Sequence, residues 1–290
     1  MNIVILGASG LIGHKLFQKL SKRFSTVYAV MHRTKEELAQ FDLFNNNPNV
    51  IYDVDVLEFE KLTGILTALQ ADVVLNCVGI TKRKEEINMP SLAIETNALY
   101  PHKLADWAKE NSARIIHFST DCVFDGSIGN YNSESPTTGK DAYGKTKAMG
   151  EIRYDHSLTI RSSFIGQELL GKTELLEWFL NQTSPQIKGF TKAFYSGVST
   201  IFMSKVVGDI IESYPDISDL QTLAIENPIS KYDLLCLAKE AYNIDVEIIP
   251  DDNFEIKPTL DGSKLAKKMN LKVPSWKEMM DELATEKNLY

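Results

Sequence analysis

Residues 1–16 read MNIVILGASGLIGHKL. Residues 2–6 are an apolar run of strand length that stops at Gly7, and Gly10 and Gly13 follow at three-residue spacings. An amphipathic run then continues through Leu16, Phe17 and Leu20. The order is strand, glycine turn, helix. Gly7 permits a tight turn, Gly10 lets the backbone approach a pyrophosphate, and Gly13 lets the helix lie close to the strand. The helix N-terminus adds unpaired N–H groups and a partial positive charge, which suit phosphate. The spacing is G-x-x-G-x-x-G, not G-x-G-x-x-G. Three glycines alone also describe an ordinary βα turn. Their place between an apolar strand and a helix favours a dinucleotide turn.

The 290 residues allow one large domain or one and a half. A composition of 43% hydrophobic and 24% charged residues suits a soluble globular protein. With 31 basic and 39 acidic residues the net charge is −8, and no basic stripe is present, which argues against a nucleic-acid surface. Lys82-Arg83-Lys84 is a short basic cluster answered by Glu85-Glu86. It reads as a solvated loop or as a contact for an anionic substrate. No apolar run reaches the ~18 residues of a membrane span. Met1 leads straight into a strand, so no signal peptide is expected. Cys77, Cys122 and Cys236 are odd in number, far apart and without a C-x-x-C, which suits reduced thiols in a cytoplasm. The histidines show no metal-ligand spacing, so no metal is expected. Asn181-Gln182-Thr183 matches a glycosylation acceptor, which without an export signal reads as chance.

Further strands are predicted over 26–31, 50–54, 72–78, 114–118 and 158–163, with helices over 91–110 and 143–154. The 26–31 strand ends in Met31-His32-Arg33 instead of the Asp or Glu that would bind the ribose 2′-hydroxyl of NAD. A guanidinium suits a 2′-phosphate, so NADPH is preferred, with NADH the alternative. Asp55 meets the adenine edge or caps the helix that begins near Leu57. The strand over 72–78 is apolar throughout, as parallel strands buried on both faces are, and it ends at Asn76-Cys77-Val78-Gly79. Alternation of strand and helix predicts a doubly wound parallel sheet with ligands outside the carboxyl ends of the strands.

Beyond Phe164 the pattern changes. Helices are predicted over 174–181, 201–214, 231–242 and 276–287, strands over 222–225 and 246–249, and irregular chain over 184–200. The expected organisation is an α/β dinucleotide-binding domain over 1–163 and a smaller mixed substrate lobe over 164–290. Elements near 190–225 are candidates to return to the first domain.

Tyr143 and Lys147 are four apart at the start of a helix, so they share one face. A lysine one turn away lowers a phenol's pKa, which ordinarily lies near ~10, and so helps it move a proton near neutrality. Thr120, at a strand end, offers a hydroxyl to a substrate oxygen. Tyrosine giving a proton to a carbonyl oxygen while nicotinamide gives hydride to the carbon is ketone reduction. The Y-x-x-x-K spacing arises often by chance. Behind a dinucleotide turn and a Ser-Thr strand end it points to chemistry.

These residues resemble the extended short-chain dehydrogenase/reductase superfamily. Within it, Ser119-Thr120-Asp121-Cys122-Val123-Phe124-Asp125-Gly126 resembles the strand-end motif of the dTDP-4-dehydrorhamnose reductase family. The resemblance extends to residues 76–79, Asn97, residues 143–147, Arg161-Ser162-Ser163 and Pro258-Thr259-Leu260-Asp261. It implies reduction of a nucleoside-diphosphate-linked 4-keto-6-deoxy sugar for cell-surface polysaccharide synthesis. It implies catalytic roles for Thr120, Tyr143 and Lys147. Cofactor contacts would come from Gly7, Ser9, Gly10, Leu11, Ile12, Gly13, His32, Arg33, Asp55, Val56, Cys77, Val78, Gly79, Asn97 and Lys147. Substrate contacts would come from Thr81, Thr120, Asp121, Cys122, Phe124, Tyr143 and Phe164. A homodimer is the default assembly.

Three positions depart from the family. Cys122 stands where a tyrosine is common, Phe164 where a tryptophan often follows the strand, and Lys257-Pro258 where Arg-Pro is usual. All three would lie toward substrate, which points to a varied sugar or nucleotide, such as an N-acetylated UDP-linked 4-keto sugar. Two other functions stay open. One is an epimerase or 4,6-dehydratase that recycles its NAD(P), although Cys122 stands where a dehydratase would carry Glu after Asp121. The other is a non-catalytic NADP-binding regulatory subunit, against which the full Thr120, Tyr143 and Lys147 set argues.

Overall fold

A strand that is apolar on both faces has to be covered on both sides. β1 (Ile3–Leu6) is such a strand, and all its residues are fully buried. Ile3 and Ile5 join one apolar cluster, Val4 and Leu6 the other, as period-two alternation requires. The computed structural model describes residues 1–287. After β1 the chain runs through α1 (Gly13–Leu20), β2 (Val27–Val30), β3 (Val50–Ile51), α2 (Phe59–Ala68), β4 (Val73–Asn76), α3 (Pro90–Ile94), α4 (Tyr100–Glu110), β5 (Arg114–Ser119), α5 (Ala142–Met149) and β6 (Ser157–Arg161). It continues through β7 (Phe164–Ile165), α6 (Leu175–Leu180), β8 (Gln186–Tyr195), β9 (Val198–Ser199), α7 (Thr200–Ser213), β10 (Asp219–Thr222), β11 (Ile229–Ser230), α8 (Lys231–Tyr242), β12 (Glu247–Ile256), α9 (Ser263–Met269) and α10 (Trp276–Thr285).

Seven strands form one sheet in the order β10-β6-β5-β4-β1-β2-β3, and every pair in it is parallel. Residues of α1, α7 and α10 cover one face and residues of α2 and α4 the other. This is the doubly wound, Rossmann-type α/β fold that the alternation predicts. The strand order reverses direction between β1 and β4, so the crevice for a ligand opens at their carboxyl ends. A smaller mixed sheet, β11-β8-β12, and the β7–β9 pair stand beside it. Among the described residues no helix is long and apolar enough to cross a membrane.

Five local expectations are corrected. The helix expected over 91–110 is broken by a π-helical turn over Glu95–Leu99, because Pro101 supplies no N–H to a regular ladder. The strand expected over 50–54 pairs only through Val50 and Ile51, since Asp53 turns the backbone to φ +57°. The helix expected over 143–154 stops at Met149, because Gly150 packs against the Asn97 carbonyl. The segment over 184–200 is not irregular but contains the ten-residue β8. Its Gly189 marks close approach, not a break: a Cβ there would lie 2.9 Å from Tyr232 Cα on α8. The strand expected over 222–225 begins at Asp219, and past Leu223, whose N–H still donates to the Arg161 carbonyl, the chain leaves β6 as Ile225 N–H donates to the Ser196 carbonyl.

Candidate active site

The glycine turn packs onto the end of β4. Gly7 has φ +74°, and a Cβ there would stand 3.1 Å from the Cys77 carbonyl carbon. A Cβ on Gly13 would come 2.2 Å from the Gly7 oxygen, so α1 docks as closely as a bare backbone allows. Gly10 N–H donates to the Gly7 carbonyl at 3.0 Å. Ser9 and Leu11 are half-buried in the same turn, and Ile12 is buried. His14 follows, with Nδ1 facing the Gly10 carbonyl at 2.8 Å, and burial drives its pKa down to about 3.

At the ends of β2 and β3 lies a cleft of about 370 Å³ lined by His32, Arg33, Asp53, Asp55 and their neighbours. Arg33 is paired there with Glu37, whose carboxyl is held low by the Thr34 N–H and then by the guanidinium. Asp55 Oδ1 accepts from Leu57 N–H at 2.9 Å in the turn ahead of α2, whose N-cap is Glu58 without a side-chain cap, so Asp55 does not cap the helix, and it lines the cleft. Val56 is half-buried next to it.

Asn97 sits in the π-turn, where it is almost fully buried. Its amide clasps Ile80 twice: Oδ1 accepts from N–H at 2.8 Å and Nδ2 donates to the carbonyl at 2.9 Å. Nδ2 also donates to Thr146 Oγ1 at 3.2 Å, which ties the chain after β4 to α5. Gly79 is exposed, and a Cβ there would lie 3.4 Å from Asn97 Oδ1 and 3.9 Å from Lys147 Nζ. Cys77 and Val78 lead into it, half-buried.

α5 is seated by two glycines. A Cβ on Gly144 would stand 2.2 Å from the Cys122 carbonyl oxygen, and one on Gly150 would stand 1.9 Å from that of Asn97. Asp141 Oδ1 accepts from Gly144 N–H at 2.8 Å and caps the helix, and Lys82 pairs with Asp141 at 2.6 Å. This seating brings Tyr143 to the strand end that carries Thr120. The Thr120 side chain lies close enough to the phenol to favour its charged form. Thr120 Oγ1 also accepts from Cys122 N–H at 3.1 Å and donates to Asp121 Oδ1 at 3.2 Å. Lys147, one turn on, donates from Nζ to the Phe118 carbonyl at 2.7 Å.

Burial dominates the electrostatics. It raises the Tyr143 phenol far above its ordinary value, with Cys122 adding to the rise and Thr120 opposing it. Lowering by Lys147 is therefore not the ruling influence on this phenol. Burial lowers Lys147 to about 8, raises Asp121, and pushes the Cys122 thiol up to about 12. Lys231, at the start of α8, faces Asp121, and burial lowers its ammonium. Among the described residues the buried Tyr195 hydroxyl has no hydrogen-bond partner, and it lies near enough to Asp121, Glu174 and Cys122 for their charges to raise it further.

The structure thus gathers Thr120, Asp121, Cys122, Tyr143 and Lys147 beside the glycine turn. Phe124 is 4% exposed, stacked on Tyr131 and covered by the Arg161 guanidinium at 4.8 Å. Phe164 is half-buried, edge-on to Phe118. Thr81 is half-buried in the loop after β4, where its carbonyl accepts from Lys84 N–H. Sequence reasoning missed Lys231 and Tyr195, because no motif marks them, and missed His117, whose signal is one polar residue in the apolar run RIIHFS.

These residues fit a dinucleotide: a tight glycine turn at a helix N-terminus, an arginine-lined cleft at the β2 end, and a bare Gly79 beside Lys147. The family model described as the RmlD substrate binding domain matches residues 1–165. The probable low-salt glycan biosynthesis reductase Agl14 of Haloferax volcanii is 28% identical over 57% of this chain and 54% of its own length. The dTDP-4-dehydrorhamnose reductase of Salmonella typhimurium is 29% identical over 52% of this chain and 46% of its own. The chain spans about half the length of the curated relatives it matches. The dTDP-4-dehydrorhamnose reductase of Bacillus anthracis, solved in complex with NADP, shares the fold with a TM-score of 0.80 over 99% of both chains at 16% identity.

Proposed function

The chain belongs to the RmlD substrate binding domain family, and from that premise we propose that it reduces the 4-keto group of a nucleoside-diphosphate-linked 4-keto-6-deoxy sugar with NADPH. The relatives named as reductases of dTDP-sugars and glycan precursors support this reading. The observation that carries it is the gathering of Thr120, Tyr143 and Lys147 at the strand ends beside the glycine turn, with Lys147 Nζ held by the Phe118 carbonyl at 2.7 Å next to the bare Gly79. A bound reduced nicotinamide would supply the hydride. Gly7, Gly10 and Gly13 would admit the pyrophosphate, and Arg33 the 2′-phosphate. Thr120 would hold the ketone oxygen, and Tyr143 would give that oxygen its phenolic proton as the carbonyl carbon is reduced. A phenol held high by burial keeps its proton until the substrate oxygen demands it. Lys82, Arg83 and Lys231 would meet the diphosphate, and the unpartnered Tyr195 hydroxyl would meet the sugar. We further assign residues 1–163 to cofactor binding and 164–290 to substrate, in a cytoplasmic homodimer.

The test is NADPH consumption against dTDP-, UDP- and GDP-linked 4-keto-6-deoxy sugars. One active member fixes both the reaction and the nucleotide. Tyr143→Phe is expected to cut kcat by at least ~100-fold, the general-acid contribution, while leaving NADPH affinity unchanged. Tight NADPH binding with no consumption on any sugar would overturn the reading.

A further inference from the structure

Lys147 has a second partner behind it. His117 is wholly buried and Asn76 is 1% exposed, and the two are cross-strand neighbours at the carboxyl ends of β5 and β4. Asn76 Oδ1 accepts from Val78 N–H at 3.2 Å, so its amide NH₂ is the group facing His117 Nδ1 at 3.0 Å. An NH₂ only donates. Nδ1 therefore presents its lone pair, and the neutral ring carries its hydrogen on Nε2, 3.3 Å from Lys147 Nζ. Burial, the largest influence on this imidazole, keeps it neutral. A hydrogen aimed at the lysine nitrogen is received only by the lone pair of an uncharged amine. An ammonium there would set two donors face to face.

The other groups around the pair pull differently. Glu151 on the α5 side and Cys77 at the β4 end both favour a charged Lys147, and burial opposes them. Arg161 already engages Glu151 at 2.6 Å, which leaves less of that carboxylate's field for the lysine. His102 on α4 adds to the influences that keep His117 uncharged.

We propose that His117, with its tautomer fixed by Asn76, is a positioning residue that holds Lys147 toward the uncharged amine and so sets the upper pH limit of the site. Its kinetic consequence rests on the reductase reading, to which it adds that the ammonium form of Lys147 is the active one. The tautomer and the titration are properties of the chain alone. A histidine serving only to fill space has no reason to aim a hydrogen at this nitrogen.

Long-range ¹H–¹⁵N spectra of the histidine-labelled protein, followed from pH 6 to 10, test the first part. The expected result is a neutral His117 protonated on Nε2, whose ring shifts step once near the lysine titration, with the step absent in Lys147→Met. A proton on Nδ1, or ring shifts that stay flat through that range, would overturn the proposal whether or not the protein reduces any sugar. The second part is the pH profile of kcat/KM. His117→Phe removes the facing hydrogen, and its alkaline limb is expected to move up by about one pH unit. His117→Gln, which keeps a polar hydrogen there, is expected to restore most of the original profile. An unmoved limb in His117→Phe would overturn the proposal, and if that variant does not fold, the labelled wild-type spectra decide alone.

Discussion

Arg33 stands at the end of β2 with its guanidinium already in use. Glu37 holds it, and both side chains are largely exposed, at 44% and 41%. A surface pair of this kind is worth roughly 0–1 kcal/mol, whereas a charge-assisted bond to phosphate contributes about 1.5–3 kcal/mol. The phosphate therefore wins the guanidinium, at the cost of leaving Glu37 close to a second anion. Arg33→Ala is expected to weaken NADPH by roughly tenfold to a hundredfold and NADH little. Glu37→Gln is expected to tighten NADPH slightly. Fluorescence titration of both cofactors reads this, and equal weakening by Arg33→Ala would show that the guanidinium does not meet the 2′-phosphate. Arg33 was legible because a strand-end position has one job in this fold. Thr120, Tyr143 and Lys147 were legible for the same reason, each lying at a fixed offset from a strand or helix start. Lys231 and Tyr195 were not, since their relevance comes from contacts across distant chain. The motif position of Phe124 gives no information about the Tyr131 stack that buries it.

α5 shows how an element's seating depends on what it lacks. An alanine at Gly144 would ordinarily favour a helix by ~1 kcal/mol. Here the added methyl would stand 2.2 Å from the Cys122 carbonyl oxygen, and that atom belongs to backbone fixed by the Thr120 turn. The clash outweighs the propensity, so Gly144→Ala is expected to lower Tm and to move Tyr143 away from Thr120. A displacement of about 1 Å costs on the order of 100-fold in rate. Thermal unfolding and kcat on the accepted sugar check both halves, and a raised Tm with full activity would show that the helix has room to shift. Glycines also explain which elements the sequence conveyed. Gly7 and Gly13 sit where strand meets helix, so periodicity and breaker agreed. Gly189 lies inside β8, where a helix crosses closely, and its presence with Pro185 disguised a strand as loop. The π-turn around Asn97 left no trace in apolar spacing, which continues through it unchanged.

The order of the main sheet follows from alternation and right-handed crossovers, and it places the crevice where the glycine turn, Gly79 and Thr120 all end. The same burial that defines this crevice makes the whole molecule sensitive to acid. His14 is 1% exposed under the glycine turn, and its imidazole is lowered from 6.5 to about 3. In the unfolded chain it takes up a proton near pH ~6.5, and in the folded protein it stays neutral to far lower pH. Between those values the unfolded state binds more protons, so stability falls as pH falls, by at most ~1.4 kcal/mol per pH unit for one such group. His117, also held neutral by burial, pulls in the same direction. Carboxylates held low by their partners, such as Asp219 by Arg153, add their loss only near and below pH ~4. The decline is therefore expected in two stages, the first starting near pH 6.5 and owed to histidine. Urea midpoints measured from pH 7 to 4 should fall from 6.5 downward. His14→Gln, which cannot take up a proton, should make the first stage shallower and leave the share of His117, whatever its effect at pH 7. A midpoint level from pH 7 to 5 would mean that His14 is protonated in the folded state and that the turn above it accommodates a charge.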